Sequence, residues 1–141
     1  YSPDDDFHGS SAVIEYAVSI LGVKHIIICG HSHCGACKSL YQDIGPSPDL
    51  IHVKKWLELE KRAKEYTLLA IQDKSDQEKL YRATERISIV HQMENLLTFP
   101  EVERKVKSGE LQIHGWYYRI EDGTIEYYDG EECSFKPLKE N

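Results

Sequence analysis

Two imidazoles and two thiols stand together in His31-Ser32-His33-Cys34-Gly35-Ala36-Cys37. Side chains of these types bind transition metals or exchange disulfides. Zinc takes tetrahedral sets of Cys thiolate and His nitrogen, and a His-x-x-Cys spacing on a turn lets His31 and Cys34 reach one ion. Two ligands do not hold zinc, so the others must come from elsewhere. Cys34-Gly35-Ala36-Cys37 is also a Cys-x-x-Cys at a helix start, the arrangement of thioredoxin-like thiol-disulfide oxidoreductases. No aromatic residue precedes Cys34, however, and the redox reading leaves His31 without a role. A third reading is structural, with Cys29 and Cys34 as small packed residues and His31 on the surface.

The elements around this loop weigh on that choice. His25-Ile26-Ile27-Ile28-Cys29, a β-branched run closed by Gly30, predicts a strand buried on both faces. Before it, Val13, Ile14, Ala17, Val18 and Leu21 recur at helical spacing between Phe7 and Gly22, with Ser10 or Ser11 as N-cap and Gly22 as the stop. After it, Cys34 to Tyr41 opens another helix. Ligand sites in open α/β sheets lie beyond the carboxyl ends of strands, and the free N–H groups of a helix start favour a thiolate. Position therefore argues against the purely structural reading.

Downstream, residues 43–49 hold two prolines and a glycine and predict a turn. Two helices follow, over 50–66 (Ile51, Trp56, Leu57 and Leu59 on or near the buried side) and over 76–98. The second has an apolar stripe of Leu80, Ala83, Ile87, Val90, Met93, Leu96 and Leu97. Pro100 starts a short helix that Ser108-Gly109 ends. Two aromatic, β-branched runs, 111–120 and 124–128, flank Glu121-Asp122-Gly123 and predict a hairpin. The polar tail from Asp129 says little, although Phe135, Pro137 and Leu138 could dock on a neighbour. The predicted fold class is α/β, with a mostly parallel central sheet flanked by helices and a C-terminal β-hairpin.

At 141 residues and 16.3 kDa the chain is the size of one domain, and 1–141 is read as a single one. A net charge of -7 argues against a nucleic-acid binder. The basic cluster Lys54, Lys55, Lys61, Arg62 and Lys64 is interrupted by Glu58 and Glu60, as on a solvated helix face. No apolar run approaches the roughly 20 residues that span a bilayer, so no membrane partner is expected. Four cysteines without a signal peptide fit a reducing, cytoplasmic setting. The chain has no initiator Met, and Tyr1-Ser2-Pro3-Asp4-Asp5-Asp6 reads as a loop in mid-protein, so an upstream portion is expected to be missing.

Ile27 to Ala36 resembles the "V-I-x-x-G-H-[ST]-x-C-G-[AG]" segment of β-class carbonic anhydrases. Ser11 to Val18 resembles that family's "S-[IL]-E-[YF]-A-V" helix, and Leu21 to His25 its link to the strand. Ser88 to Leu96 is similar to "V-x-x-Q-x-x-N-L", and His114 to Tyr118 with the Gly123 turn to "G-W-x-Y-x-[IV]-x-[TD]-G". The resemblance runs in order along nearly the whole chain.

The resemblance implies reversible hydration of carbon dioxide to bicarbonate by a zinc-bound hydroxide. The family's zinc ligands include the two that match His31 and Cys34, with Gly35 beside the substrate. Its third protein ligand and its catalytic Asp–Arg pair belong to an upstream "C-x-D-S-R" motif, and no Cys-x-Asp-x-Arg occurs here. The chain folded alone is therefore expected to be inactive and to bind zinc poorly. Tyr118 matches a tyrosine that serves a regulatory bicarbonate site in some members. His33 is expected to face solvent, Cys37 to pack rather than act in redox chemistry, and Gln92 and Asn95 to pack or cap. The resemblance also implies a homodimer or homotetramer, consistent with the aromatic hairpin of Trp116, Tyr117, Tyr118, Tyr127 and Tyr128 burying itself against a partner. A non-catalytic relative that kept the fold is the remaining alternative.

Overall fold

The structure, a computed structural model, describes residues 9–43, 45 and 48–139. Helix α1 (Gly9–Glu15) runs on into a π-helical turn, Tyr16–Ile20, and the segment stops at Gly22, whose φ of 64° is the left-handed conformation glycine adopts without strain. Ser10 and Ser11 lie inside the first helical turn, not at its cap, because the helix has already begun by Gly9; the expected start at Phe7 falls outside the described residues.

Strand β1 (His25–His31) continues two residues past Cys29, through Gly30. It pairs in parallel with β2 (Gln112–Tyr118), His25 opposite Gln112 and His31 opposite Tyr118. Strands β3 (Ile125–Asp129) and β4 (Ser134–Pro137) follow antiparallel, giving a sheet of order β1-β2-β3-β4. The α/β class and the terminal hairpin are as the sequence predicts, and the sheet is mixed. The tail adds β4 to the hairpin, with Phe135 against Tyr117 and Tyr128. That cluster buries Tyr117 almost completely, so the hairpin is less exposed than its composition suggests.

Only one face of β1 is covered, which corrects the expectation of burial on both. Ile26 and Ile28 pack against Val18, Leu96, Val102 and Leu111, whereas His25, Ile27, Cys29 and His31 alternate outward and Ile27 is 44% exposed. The alternation along the strand is that of a strand packed on one face, the face that carries Ile26 and Ile28.

Helix α5 (Gln77–Leu96) packs on the covered face of β1 and β2. Its approach is close because Gly30 and Gly115 lack side chains: a Cβ on Gly30 would stand 2.7 Å from Ile89 Cγ1, and one on Gly115 2.7 Å from Met93 Sδ. The buried residues of α5 are Leu80, Tyr81, Thr84, Glu85, Ile89, His91 and Leu96, while Leu97 is exposed and Ala83, Ile87 and Val90 line an open groove. The predicted stripe is thus rotated, since α5 meets the sheet on one side and another helix on the next.

That other helix is α4 (Lys61–Ala70), whose Ala63 and Thr67 are wholly buried. The predicted helix over 50–66 is broken into α3 (Ile51–Glu58) and α4 at Leu59-Glu60. At the break the Glu60 carboxylate accepts hydrogen bonds from Ser88 and Gln92 of α5, a tertiary contact that outweighs helical continuity. Of the predicted turn at 43–49, residues 44, 46 and 47 lie outside the described part, and Pro48–Leu50 form a 3-10 turn. Helix α6 (Pro100–Lys107) begins on its proline and ends at Gly109, as predicted.

Candidate functional site

The His31–Cys37 loop leaves the carboxyl end of β1 and enters the short helix α2 (Gly35–Ser39), with Cys34 in the N-cap position. Three hydrogen bonds fix the loop to the far end of β2. Ser32 N–H donates to the Tyr118 carbonyl at 2.9 Å, Ser32 Oγ donates to Glu121 at 2.6 Å, and Ile120 N–H donates to Ser32 Oγ at 2.8 Å. Ser32 is wholly buried as a result.

His31 Nδ1 lies 2.8 Å from the Ser32 carbonyl oxygen. A carbonyl can only accept, so Nδ1 carries the proton and the lone pair of the neutral ring sits on Nε2, the arrangement of a metal-binding histidine oriented by an outer partner. The Cys34 thiol is pulled down to about 5. The main cause is a hydrogen bond from the Cys37 thiol; burial opposes it, and the N–H groups of Cys37 and Ala36 add to it. Cys37 is pushed far up by the same hydrogen bond, by its own burial and by the Cys34 charge. It packs, as the sequence predicts, and is also the donor that holds its neighbour ionised.

His31, Cys34 and Cys37 line one cleft of about 230 Å³ with Cys29, Glu85 and Gln92. Gly35, next to Cys34 as the first residue of α2, does not line the cleft; it is exposed, with open space where a side chain would be. Tyr118 is apart from the cleft, at the end of β2, with its hydroxyl beside the Gly123 turn. His33 faces solvent as expected, in the left-handed region at φ 57°, 3.5 Å from Glu121. Gln92 donates to Glu60 and Asn95 to Gln92.

Sequence reasoning missed Glu85, which is 2% exposed beneath the loop. Its Oε1 accepts the Cys34 N–H at 2.8 Å and its Oε2 the Tyr117 hydroxyl at 2.7 Å, while Arg82 Nη2 stands 3.2 Å from Oε1. The available signal was a carboxylate four residues before Ile89, on the side of α5 that meets the sheet, where charged residues are rare unless paired.

As donors, an Nε2 lone pair and a thiolate are what zinc selects, and they fit half of its usual set. Among the described residues no three His, Cys, Asp or Glu side chains converge to hold a metal ion.

Fold and loop together define an α/β protein that carries its reactive groups beyond the carboxyl end of a parallel strand. The family model described as carbonic anhydrase matches residues 2–125. The chain is 37% identical over 124 residues to a carbonic anhydrase of Synechocystis, covering 86% of this chain and 44% of that protein. It is 36% identical over 143 residues to carbonic anhydrase 1 of Escherichia coli O157:H7, covering 100% and 62%. Among solved structures, the β-carbonic anhydrase CcaA superposes with a TM-score of 0.80 at 33% identity, over 98% of this chain and 61% of that one. A tetrameric β-carbonic anhydrase of Sordaria macrospora superposes at 0.68 and 29% identity, over 88% and 61%. The chain belongs to the carbonic anhydrase family, in its β class. It spans less than two thirds of the length of each of these relatives.

Proposed function

We propose that the protein hydrates carbon dioxide reversibly to bicarbonate, as a carbonate dehydratase, at a zinc ion held in part by His31 and Cys34. The observation that carries this reading is the pairing of a free Nε2 lone pair with a Cys34 thiolate on one loop, in a chain whose relatives are carbonic anhydrases. When bound, zinc supplies the Lewis acidity that brings the ionisation of water toward neutral pH. The chain's own residues do the rest of what can be assigned to them. The Ser32 carbonyl holds the His31 tautomer and ring orientation. Cys37 and the α2 N–H groups keep Cys34 ionised. Gly35, beside Cys34 and without a side chain, is the position proposed to lie next to a small apolar substrate. Tyr118, opposite His31 in the sheet, is the group proposed to sense bicarbonate.

The remaining zinc donors and the family's Asp–Arg pair have no counterpart in these residues. Residues 1–141 are accordingly read as part of a single domain that, folded alone, is inactive and binds zinc weakly. Residence in the cytoplasm fits four cysteines that are all free. Assembly of two or four copies is supported by the tetrameric relatives. Among the described residues no helix is long and apolar enough to cross a membrane.

Zinc titration and stopped-flow hydration test the reading on the full-length protein. His31→Ala and Cys34→Ser should each lower kcat/KM at least about a hundredfold, the upper end of what losing even an outer partner of a metal ligand costs. Normal turnover in either variant would overturn the assignment. Stoichiometric tight zinc and normal turnover in residues 1–141 alone would overturn the reading of this chain as an incomplete site.

One observation favours a second reading, thiol-disulfide exchange by Cys34 and Cys37: a buried thiol donating to a depressed one is the pattern that activates an attacking cysteine. Insulin reduction with dithiothreitol separates the two, because only the redox reading requires its acceleration to vanish in Cys37→Ser.

A further inference from the structure

Glu85 is a costly residue to place where it stands. A carboxylate this buried needs compensation, and it receives three donors: the Cys34 N–H, the Tyr117 hydroxyl and the Arg82 guanidinium. A fourth group closes the arrangement, since the Arg86 guanidinium lies over the Tyr117 ring at 3.9 Å while making a two-pronged pair with Glu126 of β3 at 3.0 Å on each arm. The carboxylate is thus held from α5, from β2 and, through Tyr117 and Arg86, from β3.

What that rigid group does toward the loop is specific. Helix α2 is only five residues long. A helix this short has little stability of its own, so the orientation of its first residue must be imposed from outside. Glu85 Oε1 takes the backbone N–H of Cys34 itself, at 2.8 Å. That contact sets the peptide plane from which the Cys34 side chain departs.

We propose that Glu85 is a positioning residue for the Cys34 donor: its buried carboxylate anchors the Cys34 peptide through the N–H···Oε1 hydrogen bond and so sets where the sulfur stands relative to His31. The inference rests on the zinc reading of His31 and Cys34 given above. Glu85 itself donates nothing to a metal in this arrangement, because both of its oxygens are engaged by protein donors.

The test uses the full-length protein and cobalt(II) as the metal probe. Glu85→Ala removes the anchor, and Glu85→Gln is the rescue, since its amide oxygen can still accept the Cys34 N–H while its NH₂ turns to the Tyr117 oxygen. Leu111→Ala, in the hydrophobic core away from the loop, controls for general destabilisation. Glu85→Ala should weaken cobalt binding by about ten- to a hundredfold, the range for outer partners of metal ligands, and change the thiolate-to-cobalt absorption band. Glu85→Gln should stay within about threefold of the parent, and Leu111→Ala should lower the melting temperature with affinity and band unaltered. Parental affinity in Glu85→Ala, or equal losses in Glu85→Ala and Glu85→Gln, would overturn the proposal. If Glu85→Ala does not fold, amide exchange in the unsubstituted protein decides. A Cys34 N–H protected far beyond that of exposed His33 supports the anchor, and one exchanging as fast overturns it. A parent protein that binds no cobalt, with Cys34 N–H still protected, refutes the zinc reading while leaving the anchor itself standing.

Discussion

A thiol that ionises near pH 5 is a thiolate at neutral pH, so in metal-free protein Cys34 should alkylate with iodoacetamide at a rate that falls with a midpoint of about 5. Replacing Cys37 by Ala removes the largest cause of the depression and should move that midpoint upward. The same shift acts on stability. The unfolded thiol ionises at its ordinary value of 9.0 and the folded one at about 5, so the contribution is complete above pH 9 and is lost as the pH falls through 5. The difference in denaturation midpoint between parent and Cys34→Ser should shrink across that window. His31 and Cys34 were legible from residue type, spacing and position after a strand. The groups that tune them, the Ser32 carbonyl as acceptor and the Cys37 thiol as donor, depend on the turn the loop takes, and Glu85 lies 51 positions from the amide it holds.

Helix α5 and the sheet meet through two glycines, and filling either should be felt. Gly30→Ala drives a methyl to 2.7 Å from Ile89, an overpacking that should cost about 1 to 3 kcal/mol in urea denaturation. Ser32→Ala removes a wholly buried hydroxyl that both accepts from the Ile120 N–H and donates to Glu121, and the loss of two hydrogen bonds should cost a similar amount, about 1 to 3 kcal/mol. An unchanged urea midpoint in either variant would show that the contact relaxes freely. Most elements were readable from periodicity and breakers: β1 from its isoleucines, α6 from Pro100 and Gly109, the hairpin from Asp122-Gly123. Two were not. The break between α3 and α4 follows from Glu60 reaching across to α5, and β4 has too few apolar residues to announce itself before β3 offers it an edge.

At the scale of the molecule, the exposed apolar side chains among the described residues lie less on the hairpin than on the opening helix. Val13 and Ile20 are each 68% exposed, with Tyr16 and Leu21 beside them. Apolar side chains grouped in this way mark a contact with another molecule, and a second copy is the occupant that the tetrameric relatives support. Light scattering at micromolar concentration should return more than one subunit for the full-length protein, and Val13→Glu with Ile20→Glu should shift it toward smaller species. A monomer before substitution would refute this. Such a surface was only partly legible, because spacing tells which residues share a helix face but not which face the rest of the fold leaves bare.

The clamp on Ser32 has a consequence for the order of events in synthesis. Its partners Ile120 and Glu121 stand 88 and 89 residues downstream, and β1 pairs with a strand that begins at Gln112. A nascent chain halted before that strand would carry His31 and Cys34 without the contacts that shape their loop. The reactive turn near the front of this chain is therefore completed only when residues as far as Glu121 have left the ribosome.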